Sequence, residues 1–219
     1  MHRKCGSLLA VTTLIIGVAF SEAQAASITN GGFEGGSTGT VPNGWSANAA
    51  YLSEPSFNFV TSLAADVHSG TFALSISNFN SENIPVLSQT ITDTPGTLYT
   101  INFWATAPNS DLSSVLYVFI NTSFASNAPS GGTGRTITGT ALPLPYTLES
   151  FGFTGTGSDV LSIAAYNNPS YYYVDDVSIS GGTTPPAVPL PAALPLFATG
   201  LAGLGLLGSR RKRKAVLSA

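Results

Sequence analysis

From residue 27 to residue 182, short apolar runs alternate with polar ones, and no stretch repeats apolar residues at helical spacing. In Tyr99-Thr100-Ile101-Asn102-Phe103 the side chains of Tyr99, Ile101 and Phe103 fall on one face. Leu161, Ile163 and Ala165 keep the same period of two, as do Val177 and Ile179. The runs are rich in β-branched and aromatic residues and are cut by Gly, Pro, Asn and Ser, which read as turns. The pattern predicts strands at 72–77, 86–91, 99–105, 115–121, 148–153, 160–166 and 172–179. Short strands at this density indicate an all-β, antiparallel sandwich spanning 27–182. The Gly-rich stretch Ser130-Gly131-Gly132-Thr133-Gly134 lacks the lysine and the helix of a phosphate-binding loop, so it reads as a flexible loop.

The two ends follow a different pattern. Residues 1–25 have a basic start at Arg3 and Lys4, an apolar core from Leu8 to Phe20 and the small residues Ala23-Gln24-Ala25. That is the layout of a signal peptide, with cleavage by signal peptidase expected after Ala25; an uncleaved anchor is the alternative. At the other end a Pro-rich linker, 183–187, leads into Val188-Pro189-Leu190-Pro191-Ala192, an apolar span and the cluster Arg210, Arg211, Lys212, Arg213, Lys214. The apolar span predicts a transmembrane helix over about 190–208, with the basic cluster on the cytoplasmic side.

Charge narrows the partners. Of the 219 residues only eight are Lys or Arg, and seven of those lie in the end segments. Between 27 and 182 ten carboxylates face Arg135 alone, a formal charge of −9 concealed by the whole-chain value of −3. With one base to meet phosphates, nucleic acid is excluded as a partner, and a cation is the more natural one. The single cysteine, Cys5, precedes the first apolar run, so the exported part has no disulfide and no thiolate site. His68 is the one histidine past the leader, which leaves too few for a His-rich zinc site.

Two resemblances follow from these motifs. The order of Val188-Pro189-Leu190-Pro191-Ala192, apolar span and basic cluster, over 188–214, resembles the PEP-CTERM sorting signals of Gram-negative bacteria in their VPLPA variant, with Leu190 where Glu is usual. The resemblance implies an exosortase as partner, a membrane-anchored precursor, and delivery to the cell surface or an extracellular matrix. The second lies in the middle. Asn30-Gly31-Gly32-Phe33-Glu34, Pro42-Asn43-Gly44-Trp45, His68-Ser69-Gly70, Gly96-Thr97-Leu98-Tyr99-Thr100 and Tyr173-Val174-Asp175-Asp176-Val177-Ser178-Ile179 come in one order. Together they resemble the galactose-binding-like jelly rolls, in particular carbohydrate-binding modules. That resemblance implies a jelly-roll sandwich, often with a structural calcium, and polysaccharide bound on a concave face or at the loop edge.

The candidate site residues follow. Strand alternation puts Asp175 on the inward face with Val177 and Ile179, where a carboxylate needs a partner. A calcium held by Glu34, Asp175 and carbonyls of the first strand and of the His68–Gly70 turn answers that need; the alternative is a pair of solvated turn residues. Asp175 and Asp176 then point to opposite faces and cannot flank one glycosidic bond, and the other acids stand singly, so nothing in the sequence argues for an enzyme. Trp45 reads as a core residue and His68 as a turn residue. Trp104, out of phase with Ile101 and Phe103, is the candidate to stack on a sugar, with sheet-to-loop packing as the other reading. Tyr117, with Phe119, Tyr166, Tyr171 and Tyr172, extends the candidate platform. The function expected is a non-catalytic polysaccharide-binding surface or matrix protein; the alternatives are a structural envelope protein without sugar binding and a glycan-active enzyme.

Overall fold

A computed structural model describes residues 25–182 apart from positions 37, 79–82, 126–127, 140–144 and 169. The expected signal region through Ala23, the sorting motif Val188–Ala192, the span over 190–208 and the cluster Arg210–Lys214 lie outside the described residues. Among the described residues no helix is long and apolar enough to cross a membrane. All seven expected strands form: β3 (Ala73–Ile76), β4 (Val86–Thr92), β5 (Leu98–Thr106), β6 (Val115–Ile120), β10 (Thr147–Thr154), β11 (Ser158–Tyr166) and β12 (Tyr172–Gly181). Five more were not signalled by the pattern: β1 (Ser46–Ala47), β2 (Phe59–Thr61), β7 (Ser123–Ala125), β8 (Ala128–Ser130) and β9 (Thr133–Thr138). A short helix α1 (Ala49–Ser53) is capped by Asn48, whose side chain accepts from Tyr51 N at 2.8 Å.

The strands form two antiparallel sheets of five, ordered β1-β4-β11-β6-β9 and β10-β5-β12-β3-β2. From β4 to β6, and again from β9 to β12, the chain crosses between the sheets at each step, as in a jelly roll. The inward rows carry Leu87 and Ile91, Ile101 and Phe103, Leu116 and Val118, and Leu161 and Ile163, all fully buried. Each such side chain contributes about 1.5–3 kcal/mol through removal from water, which is what makes alternation of period two decisive here. Trp45 joins this core as expected, 5.6 Å from Phe33 and donating its indole N–H to Asn30 O at 3.2 Å.

One feature of β12 departs from simple alternation. Asp175 pairs with Trp104 of β5, but the next register pair is Ser178 with Asn102, so a bulge inserts an extra residue, and Asp176 takes φ +48° within it. The bulge reverses the phase. Asp175 leaves the inward row of Val177 and Ile179 and stands on the outer face beside Trp104. The N-terminal segment docks on the same point: Val177 N donates to Gly31 O at 2.9 Å, and a Cβ on Gly31 would lie 1.9 Å from Val177 O. Backbone approach this close admits only glycine.

Candidate functional site

Two outer faces carry the candidate residues, one on each sheet. Over the second sheet, the turn His68–Phe72 is gripped by three carboxylates. Asp175 Oδ2 accepts from His68 N (3.0 Å) and Ser69 N (3.1 Å), and its Oδ1 accepts from Asp176 N (2.7 Å). Asp176 receives the Ser69 hydroxyl at 2.8 Å and sits 2.7 Å from His68 Nδ1. Glu34 Oε1 accepts from Thr71 N (2.7 Å) and Phe72 N (3.0 Å). Asp175 and Asp176 therefore do not diverge to opposite faces, as strict alternation predicts. The bulge brings both carboxylates onto one turn.

Asp175 is fully buried, but it is not without partners: three backbone N–H groups supply the positive potential that the expected calcium was invoked to supply. Burial pushes its carboxyl up to about 6; the bonds from Ser69, Asp176 and His68 act against that shift, and the charge of Asp176 adds to it. Glu34, the other residue expected to hold calcium, anchors the far end of the same turn. Gly32 lies between the two acids: a Cβ there would fall 3.6 Å from Asp176 Oδ1 and 3.7 Å from Glu34 Cγ.

Trp104 belongs to this assembly. Its indole stacks on the His68 ring, centroids 4.0 Å apart at 17°, and His68 also tilts against Tyr146 at 5.2 Å. Tyr146 O–H donates to Asp66 O at 2.5 Å, tying the preceding turn to the same spot. One indole face is thus occupied by a residue of the chain itself, and Trp104 is half-buried. The sequence placed His68 in a turn but gave no sign that its ring would cover the tryptophan.

The first sheet presents the other face. Tyr117 and Phe119 alternate outward from β6, and Phe124 on the β7–β8 hairpin leans toward them. Tyr117 lies 6.3 Å from Phe119 and 6.0 Å from Phe124, and all three are half-buried. The bed beneath is small: Ser162 and Ala164 of β11 pair with Phe119 and Tyr117, and Gly134 and Thr136 of β9 flank the other side. Phe119 rests on Gly134 so closely that a Cβ there would fall 2.4 Å from Phe119 Cγ. The stretch expected as a flexible loop over 130–134 is thus a turn at Gly131-Gly132 leading into β9, where Gly134 serves as the seat for a ring. Burial raises the Tyr117 hydroxyl above its ordinary pKa.

Trp104 and Tyr117 therefore face away from each other on opposite sheets, and one platform cannot contain both. Alternation fixes the phase of each strand but not the sheet it joins, and β5 and β6 join different ones. Tyr166 faces outward on β11 opposite Val115, whereas Tyr172 is fully buried, and Tyr171 packs with Phe57, Phe59 and Tyr173 away from Tyr117.

No known sequence family matches the chain, and no curated protein does. Among solved structures, TmCBM61 in complex with β-1,4-galactotriose is similar at 16% identity over 70% of this chain and 97% of that one, with a TM-score of 0.49. The CBM22-1 xylan-binding domain from Paenibacillus barcinonensis Xyn10C is 12% identical over 74% of this chain and 96% of that one, at 0.47. Arabinose-bound MgGH51 α-L-arabinofuranosidase is 13% identical over 71% of this chain and 26% of that one, at 0.50. Most of the structural neighbours are carbohydrate-binding modules with a β-sandwich fold; a glycoside hydrolase, an enzymatically active bacteriophage tailspike domain and an adhesin domain of Lys-gingipain stand among them. At these identities the likeness is one of fold.

Proposed function

We propose that this chain is an exported, non-catalytic surface or matrix protein whose sandwich binds polysaccharide on the outer face of the first sheet. The observation that carries the reading is the Tyr117, Phe119 and Phe124 group, three half-buried rings set on small residues. Pyranose rings offer apolar C–H faces that match aromatic faces, while Ser and Thr side chains around them supply hydroxyl partners. A non-catalytic role is supported by Asp175 and Asp176, whose carboxylates are engaged in holding the His68 turn. Export by signal peptidase cleavage after Ala25, and sorting by an exosortase through Val188–Ala192, are supported by the motifs at the two ends. Intact mass of the envelope form tests both, and a mature chain that retains Lys214 excludes processing of the tail.

Calcium enters this proposal where Glu34 and Asp175 grip the two ends of the His68–Phe72 turn, and there it would tie the N-terminal segment to the bulge. Binding there raises the melting temperature, and a melt that chelator leaves unchanged excludes it. The main test is affinity electrophoresis against neutral polysaccharides. Tyr117→Ala and Phe119→Ala are expected to weaken retention at least ~10-fold, an interaction loss of about 1.4 kcal/mol, with the fold intact. Retention lost in Trp104→Ala but kept in Tyr117→Ala moves the site to the second sheet. No retention of the wild type on any polysaccharide favours a structural envelope protein, and release of reducing ends favours an enzyme.

A further inference from the structure

The N-terminal motifs contain the two Asn-Gly pairs of the chain, Asn30-Gly31 and Asn43-Gly44. An asparagine followed by glycine is open to attack by its own backbone. The glycine nitrogen can close a five-membered ring on the side-chain Cγ, and no Cβ on the glycine obstructs the approach. The structure treats the two pairs differently.

Asn30 is held at every polar group that ring closure must turn. Its Oδ1 accepts from Gly35 N (2.7 Å), and its Nδ2 donates to Asn43 O (3.1 Å). Its own carbonyl accepts from Phe33 N (3.1 Å) and from the Trp45 indole (3.2 Å), and the residue takes φ +52°. Gly31 is buried, with its carbonyl accepting from Val177 N. Asn30 therefore reacts only when this segment opens locally. Asn43 is exposed, in a turn closed by Trp45 N donating to Pro42 O at 3.1 Å, with Gly44 at φ +85°. Among the described residues its side chain has no hydrogen-bond partner, and the Gly44 N–H meets no acceptor. The bond that Asn30 donates to Asn43 O draws electron density out of the Asn43–Gly44 amide, which eases loss of the Gly44 proton.

We propose that Asn43 is a site of spontaneous deamidation in the folded protein, and that Asn30 is shielded from the same reaction. Hydroxide takes the Gly44 proton, the nitrogen bonds to Asn43 Cγ, and the Cγ–Nδ2 bond breaks as ammonia leaves. Water then opens the cyclic imide at either of its two carbonyls to give aspartate or isoaspartate. One water is consumed and one ammonia released, with no change of oxidation state. Either product adds a carboxylate to an already acidic domain. Isoaspartate also routes the main chain through Cβ, which lengthens the turn and takes the carbonyl that Asn30 grips out of the backbone.

Peptide mapping of the full chain tests this. The folded protein is aged at mildly alkaline pH beside a sample unfolded in urea, both are digested at acid pH, and mass spectrometry follows amide, aspartate and isoaspartate at each position. In the folded chain the amide of residue 43 is expected to be lost at least tenfold faster than that of residue 30, and faster still as pH rises, whereas in urea the two rates converge. Asn43→Gln keeps an amide but requires a six-membered ring, so conversion at residue 43 should fall at least tenfold. A folded chain that keeps Asn43 intact while the unfolded one loses it overturns the proposal, because the turn then protects this site as well. Equal rates at the two positions before unfolding overturn it, as does undiminished conversion in Asn43→Gln, which would mean attack by bulk water and not through Gly44.

Discussion

Asp175 is a buried acid with a carboxyl pushed up to about 6, and its effect on stability has a definite sign. The ordinary value is 3.8, so the folded state holds the proton more tightly than the unfolded chain does. Its stabilising contribution is complete below the ordinary value and is lost as pH rises through about 6. Wild type and Asp175→Asn should therefore diverge in melting temperature between roughly pH 4 and pH 7, the wild type losing more on going up. Parallel melting profiles would contradict the burial argument. Gly70 makes a second prediction at this scale. It has φ +69°, and a Cβ would fall 2.2 Å from Glu34 Oε1. Gly70→Ala combines left-handed backbone strain with loss of the Glu34 anchor, and denaturant melts should show a cost of ~1–3 kcal/mol.

At the scale of the element, the seam between the sheets shows which contacts matter. Strands β9 and β10 are edge strands of different sheets, bridged by Arg135 Nε to Glu149 Oε2 at 2.7 Å. Arg135 is half exposed, so Arg135→Ala should cost under ~1 kcal/mol, whereas Ile137→Ala, which opens the core beneath the same strand, should cost ~2–5 kcal/mol. Comparable losses in the two variants would show that the ion pair, and not burial, closes the edge. The same strand explains what the sequence could and could not reveal. Strands such as β5 and β11 bury one full row, and alternation alone located them within two residues. In β9, Ile137 stands as one apolar side chain among Thr, Gly and Arg, so no pattern of period two develops. In β12 the pattern was present but misled at one point: the bulge at Asp176 turned Asp175 outward, and a bulge leaves no mark in hydropathy. The Trp104 phase was legible as outward, but the face of Tyr117 and the sheet that each strand joins are fixed by long-range pairing.

Over the whole molecule, charge divides the chain into an acidic sandwich and a basic tail, and this decides how salt should act on binding. Stacking of a neutral sugar on Tyr117, Phe119 and Phe124 neutralises no charge and releases no counterions, so its affinity should change little between low and physiological salt. A uronate-rich or sulfated polymer meets a domain carrying −9, and repulsion opposes binding most strongly when salt is low. The five bases from Arg210 to Lys214 act in the opposite direction, attracting any polyanion, and that attraction weakens as salt rises. A chain that retains the tail is therefore expected to bind acidic polymers only at low salt, and a chain processed before residue 210 to bind them at none. Neutral polysaccharide should be retained by both forms across the whole salt range. Retention measured in parallel on a neutral and a uronate-rich polymer at two ionic strengths checks this. Strong, salt-resistant binding of the acidic polymer by the processed form would show that recognition depends on something other than the aromatic face of the first sheet.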